Sequence, residues 1–117
     1  MVSHHKYLMN HLADPVEAAA YLNSVAEDGE IQPLLKALRN VVEAQGGIGG
    51  LAKKTKLSRT TLYKTLSSKG NPAVITLNTI LSVYNIQMRF SSITPEESSH
   101  LRQAASSRRH SALYATP

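Results

Sequence analysis

The stretch LAKKTKLSRTTLYKTLSSKG, residues 51–70, carries six Lys or Arg residues and no acid. Lys53, Lys54, Lys56 and Lys69 are mobile point charges suited to phosphate oxygens, contacts that position a nucleic acid without reading it. Arg59 can pair with guanine through two hydrogen bonds, and Thr60 can meet a thymine methyl. Ser58, Tyr63, Lys64 and Ser67 can donate to phosphates or to base edges. Such a set could hold double-stranded DNA, and a solvated basic face is the plainer account of the same run.

The distribution of charge favours the first account. The 117 residues carry a formal net charge of +5. Residues 1–43 have a net of −3, whereas residues 44–95 hold seven basic residues and no acid. Residues 96–117 add a net of +1. A basic middle beside an acidic start points to two partner surfaces. Glu17, Glu27, Asp28 and Glu30 could complement a basic protein, though an ordinary solvated helix face explains them equally.

Other chemistries find little support. Cysteine is absent, which removes disulfides, thiolate metal sites and a cysteine nucleophile. The histidines at 4, 5, 11, 100 and 110 lack metal-ligand spacing. No Ser-His-acid arrangement and no paired carboxylates can be argued, so neither metal nor cofactor is expected. The glycines of GGIGG, residues 46–50, lack the Lys-Ser/Thr of a phosphate loop and read as helix caps. No apolar run approaches the roughly 20 residues of a membrane span. The first residues lack the unbroken apolar core of a signal peptide. A soluble cytoplasmic protein is expected.

The elements that must position the basic set are short helices. Asp14 caps a helix that opens at Pro15, with Glu17 completing a capping box, and runs to about Ala26. Ile31, Leu34, Leu35, Leu38, Val41 and Val42 mark the next helix, with Lys36, Arg39, Asn40 and Glu43 off that stripe. Gly46-Gly47 ends it. A short helix over 49–55 is followed by one that starts after the N-cap Ser58 and ends near Ser68. KGNP terminates it. A fifth helix starts at about Thr76, with Leu77, Ile80, Leu81 and Tyr84 inward. Ile86, Met88 and Phe90 then alternate with Gln87 and Arg89, which predicts a strand that pairs with its copy or with a partner protein. TPEE restarts a helix that runs to about Ala105, and the polar end, residues 106–117, is expected to be mobile. The domains read as an N-terminal arm at 1–13, a DNA-binding domain at 14–92 and a C-terminal extension at 93–117.

The two short helices over 49–68 make a helix-turn-helix pattern, in which the first braces the second and the second enters the major groove. Ala52 supplies the small residue at the crossing, and Leu57 the apolar anchor in the turn. Leu62 and Leu66 fix the second helix to the body. Lys56 occupies a turn position that commonly holds glycine, where a left-handed backbone costs a non-glycine residue about 1 kcal/mol; either the turn is wider here, or Lys56 is strained and placed for a phosphate.

The pieces DPVEAAAYLNSVAEDGE, LLKALRNVVEAQGGIGGLAKKTKLSRTTLYKTLSSKGNP and TLNTILSVYNIQMRF resemble, in order and length, the addiction-module antidote family of HigA-like antitoxins. The resemblance spans about residues 11–91, and LSRTTLYKTLSSKGNP is its most specific part. It implies an all-α, five-helix lambda-repressor-like domain with one short C-terminal strand. It also implies no enzymatic activity, a cognate RelE/ParE-like toxin as partner, and repression of the protein's own operon, with recognition residues at Ser58, Arg59, Thr60, Tyr63 and Lys64. A homodimer on a palindromic operator follows from the same reading. A phage-type repressor without a toxin and a helical module that binds no DNA are the alternatives.

Overall fold

The computed structural model describes residues 3–103. Its elements are α1 (His4–Leu12), α2 (Pro15–Ala26), α3 (Ile31–Ala44), α4 (Gly47–Thr55), α5 (Arg59–Thr65) and α6 (Val74–Val83). A seventh helical stretch, α7, covers residues 95–103. The fold is all-helical, and no strand occurs among the described residues. The end of α7 and the tail at 106–117 lie outside them.

Two central helices organise the packing. α3 touches α1, α2 and α4, and α4 touches α3, α5 and α6. α3 qualifies because Leu35, Leu38, Val41 and Val42 recur at helical spacing and are all buried. Leu12, Leu51, Leu62, Leu66 and Ile80 close the same core at 0–2% exposure. Each buried leucine contributes about 1.5–3 kcal/mol. Tyr84 ends α6 in this core, and burial pushes its phenol up to about 12.

The segment expected to be an N-terminal arm carries α1. Ser3 caps it by accepting from the Lys6 amide at 3.1 Å. Gln45, past the end of α3, closes the other end by donating to the Leu12 and Ala13 carbonyls at 3.1 and 3.0 Å. At α2, Asp14 accepts from the Val16 amide at 2.9 Å as expected of an N-cap. Glu17 does not complete a capping box; it pairs with His11 at 3.0 Å, tying α1 to α2.

The predicted strand at Ile86–Phe90 is corrected. Residues 86–90 have no regular structure. α6 ends in a Schellman motif: Asn85 has φ +60°, its amide donates to Ser82 O, and the Ile86 amide reaches Leu81 O at 3.1 Å. The apolar alternation beyond it is real, but a strand exists only through ladder bonds, and no second extended segment lies beside this one among the described residues. At TPEE the capping box forms. Thr94 Oγ1 accepts from the Glu97 amide at 3.2 Å, and the Glu97 carboxylate accepts from Thr94 in return. Leu101 of α7 lies over Gly29, where an added Cβ would stand 3.0 Å from Leu101 Cδ2. The C-terminal extension thus packs on the turn between α2 and α3.

Candidate nucleic-acid interface

α4 and α5 are joined by three residues, Lys56 to Ser58. Lys56 has φ +64° and ψ +12°, so of the two alternatives, a wider turn or a strained lysine, the left-handed backbone on a lysine is the one present. The turn is stitched locally. The Lys56 amide donates to Ala52 O at 3.1 Å, and the Leu57 amide donates to Thr55 Oγ1 at 3.2 Å. Ser58 then accepts from the Thr61 amide at 3.0 Å and caps α5. These bonds hold a conformation that lysine disfavours. Lys56→Gly is expected to raise stability by about 1 kcal/mol, read as a higher denaturant midpoint with an unchanged slope.

Ala52 and Leu57 are half-buried against the core at the α4–α5 junction. Leu62 and Leu66 anchor α5 from beneath. What remains outward is the basic set. Lys53 and Lys54 are exposed on the last turn of α4, with Lys56 beside them. Arg59, Thr60, Tyr63 and Lys64 are exposed along α5, and Lys69 is exposed beyond its end. α5 is only seven residues, about 10 Å long. Cations therefore flank it at both ends, and between them Thr60, Thr61 and Tyr63 face solvent.

Two expected donors are engaged in the fold. Ser58 Oγ holds the Thr61 amide and its hydroxyl lies 2.9 Å from Thr61 Oγ1. Ser67 is half-buried, and its hydroxyl donates to Lys64 O at 2.9 Å. Both serve the ends of α5 before they serve any ligand. Arg59 leans over α4: its Nη2 lies 3.3 Å from where a Cβ on Gly49 would stand. A side chain at 49 would crowd it.

Arg39, expected off the apolar stripe of α3, lies within it. Its guanidinium donates to Leu66 O, the carbonyl of the residue that closes α5, and its side chain is half-buried. The signal was present: Arg39 stands four residues after Leu35 and three before Val42, which sets it inside the apolar stripe of α3. A charge there needs a partner within the fold, and an orphan carbonyl at a helix end is one. Asn40 was likewise placed off the stripe; it is half-buried and donates to Tyr21 Oη at 3.1 Å. A cleft of about 490 Å³ opens between α3, α4 and α5, bordered by Arg39, Glu43, Ile48, Gly49, Tyr63 and Ser67. Glu43 at its edge is paired with His5 at 3.1 Å.

Among the described residues no group of His, Asp or Glu is placed to hold a metal ion. No described helix is long and apolar enough to cross a membrane.

A family model described as "Probable addiction module antidote protein" matches residues 4–92, from the start of α1 to just before α7. An uncharacterized protein of Haemophilus influenzae is 32% identical over 79 residues, covering 68% of this chain and 80% of that relative. No solved structure matches at a comparable level. The chain belongs to the addiction module antidote family.

Proposed function

We propose that the protein is a HigA-like antitoxin that binds double-stranded operator DNA through α4 and α5, in the manner of a lambda-repressor-like helix-turn-helix. α4 braces, and α5 enters the major groove. Membership of the antidote family implies a regulatory protein with a cognate toxin rather than an enzyme. The toxin is of the RelE/ParE-like class, and the complex represses its own operon in the cytoplasm. The protein acts as a homodimer, which sets two α5 helices about 34 Å apart on a palindromic site. Residues 14–92 carry the DNA-binding domain.

The observation that carries this reading is the exposed basic set on a helix pair anchored to the core by Leu51, Leu62 and Leu66. Leu62 and Leu66 are buried, while Arg59, Thr60, Tyr63 and Lys64 are not. No acid occurs in residues 44–95 to oppose a phosphate backbone.

Fluorescence anisotropy with the DNA upstream of the protein's own reading frame tests it. Tight binding relative to a scrambled duplex is expected, with log affinity falling linearly against log salt. Equal, weak and salt-independent binding to both duplexes would leave the reading without support.

A further inference from the structure

The strongest unexplained surface lies away from the basic face. A groove of about 270 Å³ runs between α2, the N-terminal half of α3, and α6. Ala19, Ala26, Leu34, Leu38 and Leu77 are among the residues that wall it. Residues 86–90 form one rim. Ile86 turns into the core, Met88 is 40% exposed, and Phe90 is wholly exposed at 102%. From residue 87 to residue 93 no backbone hydrogen bond is made among the described residues. An aromatic ring therefore stands in water at the edge of an apolar groove.

We propose that this face joins two copies of the chain, with Phe90 of each seated in the groove of the other. The inference rests on the homodimer reading above and supplies its surface. A two-fold contact uses one patch twice, so the patch must be self-complementary. Here knob and hole stand side by side on one surface. The room suffices, since a cavity of about 150 Å³ holds a benzene ring.

Charge fits the same arrangement. Arg89 is exposed on the rim. Glu27, Asp28 and Glu30 follow Ala26 at the α2–α3 end of the groove, and all three are exposed. None of the four is ion-paired among the described residues. A reciprocal contact brings Arg89 towards the acids of the second copy. It also leaves α5 free. The groove uses Leu34, Leu35 and Leu38 of α3, whereas the cleft beside α5 uses Arg39, Val42 and Glu43.

Light scattering and sedimentation of the full chain across micromolar concentrations test the proposal. Wild type is expected to be a concentration-dependent dimer. Phe90→Asp is expected to raise the dimer dissociation constant by about a hundredfold or more, since each buried ring is worth about tenfold. Its thermal melt as a dilute monomer should be unchanged, because the ring faces water in the single chain. Ala26→Gln, at an exposed helix end, fills the groove and is expected to weaken the dimer as well. Phe90→Leu should largely keep it. A monomeric wild type overturns both this surface and the homodimer reading. A dimer that survives both Phe90→Asp and Ala26→Gln overturns this surface alone. If those variants stay dimeric but no longer bind toxin, the groove belongs to the toxin instead. DNA binding is read separately, and its loss with an intact dimer counts only against the α4–α5 assignment.

Discussion

Arg59→Ala is expected to flatten discrimination between operator and scrambled DNA, while Lys54→Ala weakens both duplexes alike. Arg59 is the first residue of α5, and a guanidinium there can meet a guanine edge through two parallel bonds. Losing such a pair removes about 1–3 kcal/mol of discrimination, or about fivefold to 150-fold in relative affinity. Lys54 sits on the last turn of α4 and is exposed. In the proposed complex its ammonium meets a phosphate, so its loss should lower the salt slope by about one without changing sequence preference. Paired anisotropy titrations of both variants at several salt concentrations separate the two effects. Identical behaviour of the two variants would mean that α5 does not read bases. Arg59 also rests against Gly49, so Gly49→Ala serves as a control that disturbs its position without removing its charge.

Gly70→Ala is expected to destabilise the fold by about 1–3 kcal/mol and to weaken DNA binding with it. An added Cβ would lie 2.3 Å from Thr65 O and 3.0 Å from Ser67 O. Both are backbone atoms at the end of α5, and neither can swing aside as a flexible side chain does. The Gly70 amide also donates to Ser67 O at 2.9 Å, which fixes the approach. Relief must therefore come from moving the end of α5 or the 67–70 turn. For a domain of this size each 1 kcal/mol lowers the melting temperature by about 4–8 °C. Gly50→Ala is the contrast. Nothing lies within 4 Å of its added Cβ, and the position is interior to α4. It should be stabilising by up to about 1 kcal/mol. Parallel denaturation of the two variants checks this, and equal melts would show that the close approach at Gly70 is not tight.

Much of the candidate interface was legible in the sequence because its signals are local. Ser58 before RTTLYKT announces an N-cap, and the Thr61 amide answers it three residues on. Leu62 and Leu66 declare the buried side of α5 by their spacing alone, and the outward residues follow by subtraction. Lys56 could be singled out because a tight turn there commonly holds glycine. That left a wider turn or a strained lysine; the choice, and the Thr55 hydroxyl that helps hold the turn, came only with the structure.

The readings that failed share one cause. HHKYLMNHL shows little apolar periodicity, and α1 forms because Leu12 finds the core and Gln45, far along the chain, closes its end. The alternation in Ile86–Phe90 is strand-like, but no neighbour supplies a ladder. Arg39 was set off the apolar stripe, and the partner that holds it there, the Leu66 carbonyl, lies 27 residues away.

By itself the sequence determined where α2, α3, α5 and α7 begin and, to within two residues, where α4 and α6 begin, which face of α5 is apolar, and that the middle of the chain is basic throughout. Caps, helical periods and charge act over four residues or fewer, or need no contact at all. Only the tertiary structure decided that α1 joins the core, that Arg39 clasps the end of α5, that residues 86–90 form no strand, and that Phe90 stands beside an open groove. Each of these depends on which distant group arrives as a neighbour, and that is fixed by packing rather than by any local run of residues.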